Sequence, residues 1–226
     1  MFPIKDINRT LTTPHVNRLL IAVNVIVFLV FWLSTENIFL SNRFAVEMEK
    51  KFVMVPSSVV QGEDLYTLFT SMFMHAGWLH LFGNMLYLFI FGDNIEDAFG
   101  HVSYLTFYII CGLTADFAHI MSLTASQDFN IGVVGASGAI SGVLGAYVVL
   151  YPKAKVLTVV FLGWPIIVPL PSVIFLGFWF FMQWLYVSFD VSGGVAYWAH
   201  IGGFIAGLIL AFLFARKRKK AKEARF

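Results

Sequence analysis

Charged residues are scarce in this chain. Only 12% of its 226 residues are Asp, Glu, Lys or Arg, whereas 59% are hydrophobic. A soluble domain carries about 25% charged and about 45–50% apolar residues. So little charge cannot cover a water-soluble globule of this length, which argues against a soluble enzyme, a disordered chain and a nucleic-acid-binding protein. The sequence therefore predicts an integral membrane protein in contact with the lipid bilayer.

Cysteine is almost absent as well. Cys111 is the single cysteine, so the chain cannot contain a disulfide framework of its own. Aromatic residues, in contrast, are abundant, with 25 Phe and 6 Trp. This composition fits a lipid-facing surface with aromatic belts at the membrane interfaces.

Six apolar segments predict an all-α, six-transmembrane-helix bundle that forms a single domain over residues 1–226. The segments are approximately Leu19–Leu33, Ala76–Phe91, Val102–Met121, Ser137–Tyr151, Pro171–Phe189 and Val195–Ala215. The polar stretch Ser34–His75 predicts a long first extracytoplasmic loop. The apolar run Val156–Leu162 is too short to cross, because a crossing helix needs about 20 residues. Gly163 and Pro165 then break its continuation.

Basic residues are distributed unevenly, and this predicts the orientation. Seven of the fifteen Lys and Arg residues lie in the last eleven positions. With six crossings, twelve basic residues face one side and three the other. The positive-inside rule assigns the richer side to the cytosol. We therefore expect a cytosolic N-terminal segment (1–15), a basic cytosolic tail (216–226) and, since no targeting pattern or soluble domain is visible, a prokaryotic plasma membrane.

Four polar residues lie near the start of the second, fourth and sixth segments: His80, Asn84, Ser137 and His200. Polar groups inside a bilayer are costly and mark function. With six crossings these segments all begin on the outer side, so the four groups fall in the outer half of the membrane. The fourth segment spans only about 22 Å of a core about 30 Å thick. Ser137, its first residue, therefore lies below the outer surface.

Serine and histidine at one depth point to nucleophilic catalysis. A serine hydroxyl becomes a good nucleophile when an adjacent base accepts its proton, and His200 is suited to that role. Asn84 and His80 lie one helical turn apart and could stabilise an oxyanion together with the amide of Ser137. Small residues recur every four positions in the fourth and sixth segments, at Gly138 and Gly142 and at Gly203 and Gly207. This pattern predicts that the two helices approach closely.

Three short motifs resemble the rhomboid family of intramembrane serine proteases. They are Gly135-Ala136-Ser137-Gly138, Ala199-His200-Ile201-Gly202-Gly203 and the H-x-x-x-N string His80-Leu81-Phe82-Gly83-Asn84. The resemblance extends from Leu19 to about Ala215. It implies a rhomboid bundle with a short central fourth helix, in which Ser137 is the nucleophile and His200 the general base.

The resemblance implies further properties of the site and its substrates. His80, Asn84 and the Ser137 amide would form the oxyanion hole, and no metal or cofactor is expected. Substrates would be single-span membrane proteins, cut near the outer membrane boundary. The fifth segment and the loop at about Val187–Gly194 would gate their access.

Several polar residues have alternative interpretations. Some relatives carry a tyrosine one turn after the nucleophile that stacks on the catalytic histidine; Ser141 stands there in this chain, and we hypothesise that it orients His200 by a hydrogen bond or through water. Asp116, near His119, could complete a triad or serve as a hydrogen-bonded helix-end residue. Gln183 could form a structural hydrogen bond or belong to the gate.

Two other classes of protein compete with a protease. A catalytically silent rhomboid-like protein would bind and escort membrane clients, but its relatives typically lack the serine or the histidine. A transporter or channel would distribute polar groups along a whole path through the membrane. In this sequence the polar groups cluster in the outer half, which favours the protease.

Overall fold

The computed structural model describes residues 1–38, 40–125, 128–189 and 194–223. Within them the chain is mostly helical. The helices are α1 (His15–Thr35), α2 (Asn42–Phe52), α3 (Pro56–Val60), α4 (Thr67–Thr70), α5 (Trp78–Phe99), α6 (His101–Ser122), α7 (Ser137–Leu150), α8 (Ser172–Ser188) and α9 (Tyr197–Glu223), with 3₁₀ turns at Ser71–Phe73 and Asp128–Asn130. All six predicted apolar segments fall on helices. The polar loop between the first two contains α2, α3 and α4.

The outer surface of the bundle is apolar. Three helical stretches among the described residues are long and apolar enough to cross a bilayer: α1, α6 and Tyr197–Phe214 of α9. Helices α7 and α8 are apolar but shorter. Large side chains such as Leu79, Phe89 and Val102 project outward with 70–88% of their surface exposed. Apolar surface of this extent is covered by lipid in a membrane protein, and the chain is an integral membrane protein.

A three-stranded antiparallel sheet corrects the prediction of an all-α fold. Strands β1 (Phe2–Asp6), β2 (Lys155–Leu162) and β3 (Trp164–Pro171) pair in that order, with β2 in the middle. The run interpreted as too short to span is β2, and Gly163 makes the turn with a φ of +85°. Proline lacks an N–H and is tolerated on an edge strand such as β3. The prolines at 165, 169 and 171 lie an even number of positions apart along β3. The backbone N–H groups that they lack would therefore all have pointed to the same edge of the strand.

Helix α7 lies at the centre of the bundle. Its residues Gly138–Tyr147 are all buried, and it packs against α5, α6, α8 and α9. A Cβ atom on Gly203 would lie 2.1 Å from the Gly138 carbonyl oxygen, and one on Gly207 would lie 1.9 Å from that of Gly142. The predicted close approach of the two helices is therefore confirmed. Only glycine permits this separation between the backbones of α7 and α9.

A cluster of polar side chains connects the N-terminal segment of the chain to the helices of the bundle. Pro14, the residue before α1, makes no side-chain hydrogen bond that would cap the start of this helix in the described structure. The Glu96 carboxylate of α5 instead accepts hydrogen bonds from the amides of Val16 and Asn17, at 2.9 and 2.7 Å. Nearby, Asp6 of β1 accepts hydrogen bonds from Asn94 and Tyr147, and burial raises the pKa of its carboxyl. These contacts join β1 and α1 to the core.

Replacing the capping carboxylate should destabilise the fold. Glu96→Ala leaves two amides at the start of α1 without their acceptor, so we expect a loss of about 2–3 kcal/mol in unfolding free energy. Thermal unfolding in detergent measures the change. Glu47→Ala, on the exposed face of α2, is the matched control and should change stability by less than about 0.5 kcal/mol. Equal stability of the two variants would contradict the capping role.

Candidate active site

The segment before α7 holds Ser137 in place through backbone contacts. Val133 pairs with Met54 of the first loop, and the Gly135 amide donates to the Ser71 carbonyl at 2.9 Å. Gly135 has a φ of +125°, and a Cβ atom there would lie 2.7 Å from His80 Nε2. Both the conformation and the space therefore require glycine. The first loop and α5 thus fix the position at which α7 begins.

Ser137 and His200 are brought together although 63 residues separate them. Ser137 is the first residue of α7, and His200 lies in the first turn of α9. His200 Nε2 is 2.8 Å from Ser137 Oγ. The close packing of α7 and α9 makes this distance possible. A serine hydroxyl at hydrogen-bond distance from an imidazole nitrogen is the arrangement of an activated nucleophile.

A cavity of about 940 Å³ contains this pair. All four polar residues singled out in the sequence line it, together with Asp116 and His119 of α6. The cavity lies among the helices of a membrane protein and is lined by polar as well as apolar side chains. Irregular backbone at membrane depth is tolerated where it lines such a cavity.

Hydrogen-bond donors collect beside Ser137. His80 Nδ1 accepts a weak hydrogen bond from the Ala76 amide at 3.4 Å, so a neutral His80 ring carries its proton on Nε2, the atom nearest Gly135. Asn84 Nδ2 is buried and has no hydrogen-bond partner among the described residues. The first amides of α7, including that of Ser137, have no partner within their own helix. Unpaired donors of this kind suit an oxygen that becomes negatively charged.

The direct hydrogen bond from Ser141 to His200 that the sequence suggested is not formed in the described structure. The Ser141 hydroxyl donates to the Ser137 carbonyl at 2.6 Å, as serine side chains inside helices often do towards the residue four positions earlier. Instead, Gln183 of α8 forms a hydrogen bond with His200, with 2.8 Å between Gln183 Oε1 and His200 Nδ1. The ring of Trp179 also lies beside that of His200, with 5.9 Å between centroids.

Asp116 does not form the bond that a triad requires. Its Oδ2 is buried without a hydrogen-bond partner in the described ranges, and His200 Nδ1 is already bonded to Gln183.

His75 is a residue near the site that sequence reasoning missed. The buried ring of His75 meets that of His80 edge to face, with 5.0 Å between centroids. Its place in the string Met74-His75-Ala76, five residues before His80, was the available signal.

Two sequence-based expectations concern other features of the site. Residues 190–193 of the loop that was expected to gate access lie outside the described residues. The described residues contain no group of three or more His, Cys, Asp or Glu side chains that could hold a metal ion.

Fold and site together define an integral membrane protein with a serine–histidine pair in a cavity among its helices. Comparison with known proteins identifies the family. The Rhomboid domain model matches residues 62–217, more than half of the chain. The protein belongs to the rhomboid family.

Individual relatives are similar over most of this chain. "RHOMBOID-like protein 6, mitochondrial" of Arabidopsis thaliana is 31% identical over 83% of the chain and 56% of its own length. "Rhomboid protein 1, mitochondrial" of Saccharomyces cerevisiae is 26% identical over 78% of the chain and 49% of its length. "Rhomboid protease GlpG" of Haemophilus influenzae is 28% identical over 82% of the chain and 89% of its length. The chain thus spans about half the length of the plant and yeast relatives.

Proposed function

We propose that the protein is an intramembrane serine protease that hydrolyses peptide bonds in or near the transmembrane segments of single-span membrane proteins. Ser137 is the nucleophile and His200 the general base. The observation that carries the proposal is the 2.8 Å distance between His200 Nε2 and Ser137 Oγ inside the cavity. The similarity to a relative named as a rhomboid protease, 89% of whose length is matched, supports it.

On this proposal, acyl transfer uses groups that line the cavity. As Ser137 Oγ attacks the peptide carbonyl carbon, its proton passes to His200 Nε2. The carbonyl oxygen becomes an oxyanion and accepts hydrogen bonds from Asn84, His80 and the Ser137 amide. His200 then protonates the leaving amine, and the peptide bond breaks. Water hydrolyses the acyl-enzyme in the second half-reaction, with His200 again acting as the base.

The sheet supports a topology with six crossings. Because β1 pairs with β2, the two strands lie on one side of the membrane. The chain between Asp6 and Lys155 must then cross an even number of times, and α1, α5, α6 and α7 provide four crossings. Helices α8 and α9 add two more. This topology, with the basic residues of the termini on the cytosolic side, leaves the start of α7 in the outer half of the bilayer.

The membrane that contains the protein is also part of the proposal. We assign it to a prokaryotic plasma membrane. A 28% identical relative from Haemophilus influenzae supports this assignment, whereas two other relatives are named as mitochondrial.

The alternative function, that of a catalytically silent escort protein, explains fewer features of the site. Such a protein needs the cavity, because membrane clients would enter it. It needs neither a serine hydroxyl bonded to an imidazole nor a buried donor kept without a partner. An unpaired buried donor lowers stability, so catalysis explains the presence of Asn84 better.

Labelling with a fluorophosphonate probe tests the nucleophile. We expect the detergent-purified protein to be labelled, since the probe reacts with a serine that a base activates. Labelling should be lost in Ser137→Ala and in His200→Ala. It should persist in Ser103→Ala, which removes an exposed serine of α6.

Two outcomes would contradict the proposal. Labelling that survives Ser137→Ala would mean that another residue is the nucleophile. A folded wild-type protein that neither reacts with the probe nor cleaves reconstituted transmembrane substrates would instead favour the escort protein.

Asn84 should contribute strongly to the rate and little to stability. We expect Asn84→Ala to lower kcat by about 10²–10³-fold, because one donor to the oxyanion is lost. Its Nδ2 has no partner in the described structure, so thermal stability should not fall with activity. Cleavage kinetics in proteoliposomes measure kcat. Asn42→Ala in the exposed part of α2 is the control, and unchanged kcat in Asn84→Ala would exclude the oxyanion role.

A further inference from the structure

Gln183 is a buried amide whose two ends are both engaged. It lies on α8 with 6% of its surface exposed. Its Nε2 donates to the Trp179 carbonyl at 3.2 Å, and its Oε1 is 2.8 Å from His200 Nδ1. A polar side chain inside an apolar helix thus connects its own backbone to the proposed catalytic base.

The partners of Gln183 determine which way its amide points. The Trp179 carbonyl can only accept a hydrogen bond, so the NH₂ end must face it. The oxygen end then faces His200 and requires a donor there. Nδ1 must therefore carry a proton. A neutral imidazole has one proton, so Nε2 is left with a free lone pair.

That lone pair faces the nucleophile. The hydrogen bonds run in one direction, from the Ser137 hydroxyl to His200 Nε2, from His200 Nδ1–H to Gln183 Oε1, and from Gln183 Nε2 to the Trp179 carbonyl. The opposite tautomer would place a proton on Nε2, and the ring could no longer accept the serine proton. The order of this chain is thus the order that general-base catalysis requires.

We propose that Gln183 is a positioning residue that fixes the tautomer and the ring orientation of His200. Its consequence for catalysis rests on the proposed protease function. It performs without charge the task that an acid performs in a triad, in which the acid holds the imidazole in the correct tautomer. It also fills the orienting role for which the sequence suggested Ser141, whose hydroxyl is bonded to the helix backbone.

The groups around His200 indicate how a charge at position 183 would act. Besides His200, the titratable groups that line the same cavity are His80 and Tyr87 on α5, Asp116 and His119 on α6, Asp128 in the 3₁₀ turn, Tyr186 on α8, and Tyr197 on α9. His200 Nδ1–H donates to the neutral amide oxygen of Gln183. A carboxylate there would stabilise the imidazolium form. The acid limb of the pH–rate profile should then move to higher pH.

The experiment compares two substitutions of similar length with a matched control. Gln183→Met removes the acceptor, whereas Gln183→Glu keeps an acceptor and adds charge. Thr106→Val is the control, because Thr106 also bonds to the carbonyl four residues earlier but is exposed on α6. The measurements are kcat, KM and the pH profile of cleavage, and the ¹⁵N chemical shifts of the His200 ring.

We expect Gln183→Met and Gln183→Glu to have different effects on cleavage and on the His200 tautomer. In Gln183→Met, kcat should fall about 10–100-fold with KM nearly unchanged, by analogy with the loss when the partner that orients a metal-ligating histidine is removed. The ¹⁵N shifts should move from a single Nδ1-protonated form to a mixture of tautomers. Gln183→Glu should recover kcat on its pH plateau, with the acid limb moved upward. Thr106→Val should match the wild type in every measurement.

Failure of the inference can be separated from failure of the proposed function. A wild-type His200 protonated on Nε2, or a Gln183→Met protein with unchanged tautomer and kcat, would overturn the positioning role. A protein that cleaves no transmembrane substrate, yet loses its Nδ1-protonated form in Gln183→Met, would support the positioning role and refute the protease function.

Discussion

Ser137→Ala and His200→Ala should each lower kcat for transmembrane substrates by about 10⁴–10⁶-fold, and the double variant should be no slower than either. The two side chains act as one unit, since the hydroxyl attacks only as the imidazole accepts its proton. Removing either group therefore removes the same step. The remaining rate would come from substrate binding and the oxyanion donors.

Single-turnover cleavage in proteoliposomes measures these rates. The decisive comparison is between the rate loss of the double variant and the losses of the two single variants. Ser103→Ala is again the control, because it removes a hydroxyl from the exposed face of α6. If the losses in the single variants multiplied in the double variant, Ser137 and His200 would act independently, and the proposed mechanism would be wrong.

Gly207→Ala should both destabilise the protein and inactivate it. The added Cβ would lie 1.9 Å from the Gly142 carbonyl oxygen and 2.6 Å from its Cα. These are backbone atoms at the centre of the bundle, so α7 and α9 must move apart to accommodate the methyl group. We expect a loss of about 3 kcal/mol in unfolding free energy, the upper part of the range for overpacking. Activity should fall further, because the same movement separates His200 from Ser137.

Gly177→Ala provides the matched control for this prediction. Gly177 lies inside α8, and a Cβ there would meet nothing within 4 Å. Alanine also favours the helical state over glycine by about 0.5–1 kcal/mol. Thermal unfolding and cleavage should therefore show a neutral or stabilising effect. Equal behaviour of Gly207→Ala and Gly177→Ala would mean that the contact between the two helices is not required.

Local patterns predicted the helices that contain the six apolar segments and the proximity of Ser137 and His200, but not α2, α3 and α4 in the first loop. The helices that contain the six apolar segments begin near the start of an apolar run, because lipid contact requires continuous apolar surface, but α5 and α9 continue past theirs to Phe99 and Glu223. The spacing of Gly138, Gly142, Gly203 and Gly207 predicted the close helix pair, since small residues on one face permit backbone contact. The histidine and the serine each occur at the start of a helix in that pair, so the packing brings them together.

The orientation of the base could not be predicted in the same way. Helical spacing placed Ser141 on the face of Ser137, but spacing does not decide whether a hydroxyl bonds to a neighbour or to its own backbone. Gln183 reaches His200 from a third helix, and the contact depends on how α8 packs against α9. One sequence does not determine that rotation.

The sheet was missed for a related reason. Strand β1 has five residues, and its partner begins about 150 residues later. A strand this short has no periodicity strong enough to identify it, and β3 contains prolines that normally argue against a strand. The rule that an apolar run must have about 20 residues to span correctly indicated that Lys155–Leu162 is not a spanning helix. It did not indicate what such a run would form instead.

The long separation of β1 and β2 imposes an order on biogenesis. At a synthesis rate of about 5–20 residues per second, β1 waits about 7–30 s for its partner to be made. On the proposed topology, four helices must insert during that interval before the strands can meet. Pairing of Phe2–Asp6 is then a late event that occurs only in correctly threaded chains. Protection of its amides from hydrogen exchange would therefore report completed insertion.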